Sequence, residues 1–282
     1  FESIDLNTIP ISPSITYANL INLKNYSLFN EFDFTVLKRN ESTTSNPSDS
    51  FKLSINNELF NRYLIRNLSF KNKVIFTNSY SDYQFNNNEI LNHDSIKSNI
   101  KLSTDLYYQN SPSFVPRLKL IIPMQLENSN KDINEESKSI TFNYQNQFFE
   151  NRFFGNDLFD SSPRIVYGLE NFIQLKGQKI NFKLNQSYET NLNNNYSNLI
   201  NQNSNFSDYA FEANISKNDI LFKLDARLDQ ENLTKKEMNY SLIFDNPIGL
   251  SLNYNETQSN AFKSLSNDTQ SINLAISKKI ND

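Results

Sequence analysis

Apolar and polar residues alternate along most of this chain. From Ile96 the apolar positions are Ile96, Ile100, Leu102, Leu106 and Tyr108, and between them lie Lys97, Asn99, Lys101, Ser103 and Asp105. A strand sends successive side chains to opposite faces, so this stretch has one apolar and one polar face. The same rule holds where Ile180, Phe182, Leu184 and Tyr188 alternate with Asn181, Lys183, Asn185, Ser187 and Glu189. It holds again where Ile220, Phe222, Leu224, Ala226 and Leu228 alternate with Lys223, Asp225, Arg227 and Asp229. Shorter runs repeat it at 32–36, 51–55, 240–244, 248–254 and 272–276. Ile140, Phe142 and Tyr144, set against Thr141, Asn143 and Gln145, predict one more strand. The total is roughly thirteen or fourteen strands. Asn57–Leu68 has some helical spacing, but an irregular strand pair fits it better.

Connections sharpen the picture. After Arg164 they alternate: 175–178 short, 190–205 long, 217–219 short, 230–236 medium, 245–247 short, 256–270 long. Before Arg164 the alternation is not clean, although 40–50, 83–94 and 127–138 read as polar loops. Outer-membrane β-barrels have short turns at one end and long loops at the other. A soluble β-sandwich would also alternate, with its apolar face inward. Three features favour a barrel in lipid. The strands run to about nine to thirteen residues, against about five or six in soluble sheets. Their polar face is densely charged, as at Lys223, Asp225, Arg227 and Asp229, which suits a water-filled lumen. Aromatic residues gather near strand ends, at Tyr107, Tyr108, Phe148, Phe149 and Tyr188, then at Phe206, Tyr209 and Tyr254. Membrane-interface girdles are built that way. The expected fold is therefore all-β: an antiparallel transmembrane barrel, or part of a larger one.

Composition excludes other classes. The 282 residues include no Cys, no Trp, four Gly and one His. That leaves no thiol nucleophile, no cysteine-ligated metal and no histidine-rich metal site. Four glycines are too few for a phosphate-cradling loop plus the turns of a doubly wound sheet. With 27 basic and 31 acidic residues, the net charge of −4 disfavours nucleic acid as a partner. Asn makes up about a sixth of the chain and 13% of residues are aromatic. Disordered chains are depleted in aromatics, so this one folds. No apolar run approaches the ~18 residues of a spanning helix. The sequence starts at Phe1 without a signal peptide, which predicts a processed product or a fragment.

One stretch carries a resemblance. Residues 146–169 read NQFFENRFFGNDLFDSSPRIVYGL. They resemble the signature of the LptD (OstA/Imp) family of lipopolysaccharide-assembly outer-membrane proteins. Arg152, Gly155 and Asp157 match the family's loop motif, and Arg164, Tyr167, Gly168 and Leu169 match the strand after it. Leu158 stands where the family usually has Arg. Upstream, Val115-Pro116-Arg117-Leu118 with Pro123 is similar to another family segment, with Val115 in place of Glu. Pro10–Tyr17 (PISPSITY) looks like the entry to a barrel hairpin.

The resemblance implies delivery of lipopolysaccharide (LPS) to the outer leaflet of a Gram-negative outer membrane, without enzymatic chemistry or a cofactor. It implies an LptE-type lipoprotein plug and a periplasmic Lpt bridge as partners. The bridge is contacted through a jellyroll domain missing here, and residues 1–282 would form one segment of the barrel without its seam strands. Arg152, Gly155, Asp157, Arg164, Tyr167 and Gly168 are then expected to be structural. Arg–carboxylate pairs would hold a folded-in loop at the barrel mouth.

The row Lys223, Asp225, Arg227 and Asp229 is expected to be a solvated lumen wall with offsetting charges. Glu135 and Glu136 are adjacent on a polar loop and read as solvated, as does His93 beside Asp94. Two other readings stay open. A porin or adhesin would share the polar lumen, and a secreted β-sandwich binding module would be water-soluble without detergent.

Overall fold

The computed structural model describes residues 14–38, 49–84, 93–108, 113–127, 138–139, 141–154, 159–192, 196, 200–244, 248–262 and 265–278. In chain order the first strands are β1 (Ser14–Asn22), β2 (Ser27–Lys38), β3 (Asp49–Ile65), β4 (Leu68–Gln84), β5 (His93–Tyr108) and β6 (Phe114–Glu127). Three short elements follow: β7 (Lys138–Ser139), α1 (Tyr144–Gln147) and β8 (Phe153–Phe154). The chain then resumes as β9 (Arg164–Leu175), β10 (Gln178–Glu189), β11 (Tyr209–Lys217), β12 (Ile220–Leu228), β13 (Lys235–Phe244), β14 (Ile248–Thr257) and β15 (Thr269–Lys278).

Thirteen strands form one antiparallel sheet in the order β1-β2-β3-β4-β5-β6-β9-β10-β11-β12-β13-β14-β15. Every neighbour in space is the next long strand in sequence. β7 and β8 pair with each other outside this sheet. β1 and β15 form its two edges and are not paired with one another. The strands are long, reaching 17 residues in β3 and β4. Asn57–Leu68 is extended: β3 runs to Ile65, turns at 66–67, and β4 starts at Leu68.

Short and long connections alternate along the whole chain, not only after Arg164. The links 23–26, 66–67, 109–113, 176–177, 218–219 and 245–247 are short. Between them come 39–48, 85–92, 128–163, 190–208, 229–234 and 258–268. In an up-and-down sheet this places all tight turns at one end and all longer loops at the other. Lys176 (φ 46) and Gly177 (φ 80) make a two-residue turn with both φ positive, which matches the right-handed strand twist.

The two faces of the sheet are inverted relative to a soluble protein. Leu102, Leu118, Leu120, Ile122 and Met124 are exposed on one face of β5–β6, and Ile165, Phe182 and Leu184 continue it. At β15, Ile272 is 70% exposed. The opposite face holds Ser54, Asn99, Lys101, Ser103, Asp105 and Lys119, all buried. Among the described residues buried polar side chains outnumber buried apolar ones by 23 to 13. Contiguous exposed apolar surface beyond a few hundred Å² is rare on soluble monomers. The polar face is covered in part by residues 141–154 and 159–163, which fold back onto it as the infolded segment, and is called the inner face below.

The predicted strand at 140–145 is one correction. Ile140 lies outside the described residues, Tyr144 opens the single turn α1, and Asn143 caps it by accepting from Asn146 N at 2.8 Å. Phe142 and Tyr144 are both buried, because packing against the sheet replaces a place in its ladder. Phe148 is a second correction. Expected among strand-end aromatics of the apolar face, it is 2% exposed in a cluster with Ile121, Tyr144 and Val166. Tyr107 also turns inward, with the Arg117 guanidinium 4.7 Å from its ring centre. His93 begins β5 opposite Tyr83, and so is not in a loop. Glu135 and Glu136 lie outside the described residues.

Candidate functional site

The infolded segment and two neighbouring long loops are held to the sheet by ionic contacts at three levels. At the first, on β5 and β6, Arg117 grips Asp105 with two donors, at 2.7 and 3.1 Å. Its guanidinium lies 3.8 Å from the Phe148 ring centre. Lys119 donates to Phe148 O and to Glu150 Oε1, each at 2.7 Å. Ser103 Oγ donates to the same Glu150 oxygen at 3.1 Å. Burial by itself would raise the Glu150 carboxyl, but the Lys119 and Lys73 ammonium groups hold it at about 2. The strands thus read the segment through its backbone carbonyl as well as its charge.

The second level lies at the long-loop end of β9 and β10. Arg152 forks onto Asp160, with Nε 2.7 Å from Oδ2 and Nη2 3.1 Å from Oδ1. Its Nη1 donates to Glu189 Oε1 at 2.6 Å. Arg164 Nη1 donates to Asp160 Oδ2 at 2.7 Å, and its Nη2 to Phe149 O. The Tyr196 ring lies 4.0 Å from the Arg152 guanidinium, and burial pushes the Tyr196 hydroxyl up to about 12. All four charged side chains are fully buried, and two cations balance two anions. Burial would raise the Asp160 carboxyl, yet Arg152 and Arg164 hold it well below its ordinary value. Buried ions cost several kcal/mol each in desolvation, so such a cluster persists only with this density of hydrogen bonds.

The third level is Arg227 at the end of β12. It donates to Asp208 Oδ2 at 2.7 Å, to Ala261 O at 2.7 Å and to Ile200 O at 2.5 Å. Lys236 donates to both oxygens of Asp208, at 2.9 and 3.0 Å. One guanidinium therefore joins two long loops, around Ile200 and Ala261, to the strand ends.

Of the residues singled out in the sequence, Arg152 and Arg164 meet at Asp160. Gly155 and Asp157 lie outside the described residues. Tyr167 is on the apolar face and its hydroxyl donates to Gln186 Oε1. Gly168 faces the infolded segment. A Cβ there would lie 3.0 Å from Phe148 Cζ, from Asn185 Cβ and from Leu184 O, so only Gly lets α1 approach this closely. Gly168→Val should lift Phe148 off the sheet, read as faster protease cleavage near residue 150 with the strands still protected.

The row on β12 does not behave as one solvated wall. Lys223 is exposed and Asp225 half-buried, whereas Arg227 is 1% exposed beneath two loops. Asp229 lies just past the strand, 3.0 Å from Lys236 Nζ. The solvated reading is corrected at Arg227, because backbone carbonyls and Asp208 replace water around it.

Asp160, Glu189 and Asp208 were missed in the sequence. Glu189 had a legible signal, closing the inner-face series Asn181, Lys183, Asn185, Ser187. Asp160 and Asp208 lie outside any alternating run, and only the folded loops show their partners. Among the described residues no His, Cys, Asp or Glu cluster could hold a metal ion.

A family model described as LPS transport system D (LptD) matches residues 95–282. The chain belongs to the LptD family. The match begins in β5 and takes in the infolded segment, all three ionic levels and every strand from β6 onward. Pro10–Tyr17 precedes it. None of the curated proteins matches the chain. The LptD family is a component of LPS transport and assembly, not known as an enzyme.

Acid should release the infolded segment of this LptD-family chain. Glu150 and Asp160 have depressed folded-state values, so their stabilisation is present above the unfolded values near 4 and is lost as pH falls toward 2. Protease sensitivity around residue 150 should stay flat from pH 7 to about 5 and rise steeply below about 3. A flat profile to pH 2 would contradict these assignments.

Proposed function

We infer that this chain forms part of the wall of an outer-membrane β-barrel that delivers LPS to the outer leaflet of a Gram-negative cell. The observation that carries the reading is the inverted sheet, with apolar side chains exposed on one face and charges on the other, in a member of the LptD family. The dimensions suit a membrane. Nine residues of β12 extend roughly 30 Å at ~3.3 Å each, or about 23 Å at a tilt near 40°, close to the ~25 Å apolar band of such barrels. The unpaired edges of β1 and β15 call for further strands, since open edges are unfavourable in lipid.

In this mechanism the sugar portion of LPS meets the polar inner face while the acyl chains stay with the apolar side, where they leave through a seam. No bond is made or broken. The infolded segment narrows the space beside β2–β6 and shapes the path. An LptE-type lipoprotein plug and a periplasmic bridge, reached through a jellyroll domain, complete the machine.

The test is depletion of the protein in its own bacterium, with surface labelling of newly made LPS. Surface LPS should fall within a few generations while LPS accumulates on the inner side. Undiminished surface LPS would overturn the transport reading and leave a porin-like or adhesive barrel. Solubility without detergent would overturn the membrane reading and favour a secreted β-sandwich.

A further inference from the structure

Beside the infolded segment, the inner face of β2–β5 encloses a polar cavity of about 300 Å³. That is the small end of the range for ligand pockets, about 300–1,000 Å³. Two neighbouring inner-face positions of β5 line it. Lys101 is 4% exposed, sits 3.9 Å from the Phe159 ring centre, and makes no ion pair or hydrogen bond among the described residues. Asn99 is 5% exposed and its Oδ1 has no partner among the described residues. Buried polar groups are nearly all satisfied in folded proteins. The unpartnered acceptor Asn99 Oδ1 and the Lys101 Nζ, whose contact among the described residues is the Phe159 ring, lie at one cavity, and the pair points to something that enters it.

The remaining lining says what that is. Phe149 lines the cavity and is 37% exposed, so its ring is available to an apolar surface. Glu31, Asp33 and Glu58 supply carboxylate acceptors from β2 and β3, with Glu58 steadied by Lys73 at 2.8 Å. With Glu150 there are four carboxylates, and with Lys119, which pairs with Glu150 at 2.7 Å, three amines (Lys73, Lys101 and Lys119), so the lining stays net negative. The excess of negative charge opposes a phosphate or carboxylate on the occupant. The occupant must donate hydroxyls to carboxylates and to Asn99, accept from Lys101, and offer a C–H face to Phe149. A neutral sugar ring does all of this.

We propose that the cavity is a subsite for one or two neutral sugar units of the saccharide that passes the inner face, and that it excludes phosphorylated sugars. This rests on the LPS-transport reading above. The subsite would hold the uncharged part of the glycan and leave phosphate-bearing parts elsewhere along the wall.

The test uses the intact protein in detergent micelles and saturation-transfer NMR, with maltotriose as the neutral probe and glucose 6-phosphate as the charged one. Maltotriose ring protons should receive saturation from the protein, and glucose 6-phosphate should receive none. The transfer should fall at least five-fold in Lys101→Met and in Phe149→Ala. Phe149 is half-exposed, so its variant should keep the heat-modifiable gel migration of the folded protein. No transfer to maltotriose, unchanged transfer in folded Phe149→Ala, or stronger transfer to glucose 6-phosphate would each overturn the subsite. If sugar binding is absent while surface LPS still depends on the protein, the subsite alone fails. If surface LPS is independent of the protein, the transport reading fails whatever maltotriose does.

Discussion

Arg152→Met should destabilise the assembled protein by about 3–5 kcal/mol, the usual cost of removing one partner from a buried ion pair. Arg152 supplies three of the hydrogen bonds that reach Asp160 and Glu189. Without it, Glu189 loses its 2.6 Å ion pair, and among the described residues the Asp160 carboxylate keeps the Arg164 guanidinium at 2.7 Å. Urea unfolding in lipid vesicles, followed by heat-modifiable migration, reads the loss directly. LPS transport per correctly assembled molecule should fall far less than the amount assembled, because the cluster is buried behind the infolded segment. Normal assembly with lost transport would make Arg152 a substrate contact and reverse its structural role.

Arg227→Met should cost about 3 kcal/mol, close to the value of one hydrogen bond to a charged group with loss of a buried ion pair. The penalty is smaller than at Arg152 because Lys236 still holds both oxygens of Asp208. Its signature should be local. The carbonyls of Ile200 and Ala261 lose their donors, so loops 190–208 and 258–268 should open together. Limited proteolysis should cut both loops at least ten-fold faster while β9–β12 stay protected. Acceleration in one loop only would show that Arg227 does not couple them.

Much of the architecture was legible in the sequence because a strand's period of two is local. The alternations at 180–189 and 220–229 gave both strand and face, and the structure has them as β10 and β12, on either side of β11 in an up-and-down meander. The loop pattern before Arg164 was obscured because 109–113 and 128–163 differ so much in length, and long polar strands such as β3 blend into their loops. Where a segment leaves the ladder, alternation misleads. Phe142 and Tyr144 look like one face of a strand, but both are buried around a single helical turn. The Arg152 and Arg164 pair was singled out, whereas Asp160, Glu189 and Asp208 were not. Their meeting depends on loops folding across strands up to 37 residues apart, which no local pattern encodes.

Gly168 shows the same limit. Its place in the strand motif was visible, but the reason for it, a Phe148 ring packed where a Cβ would stand, required the fold.

This sheet is expected to stand in lipid with its apolar face outward. Residues 1–282 include no Cys, so a thiol placed in β12 is the single one within them. The decisive measurement is a scan of single Cys at Phe222, Lys223, Leu224 and Asp225 of β12 in the intact membrane-inserted protein. Each thiol is challenged with a water-soluble maleimide and with a lipid-confined quencher of an attached fluorophore. Positions 222 and 224 should respond to the lipid quencher and resist the maleimide, and 223 and 225 should do the reverse. Uniform labelling from water at all four positions would contradict the account.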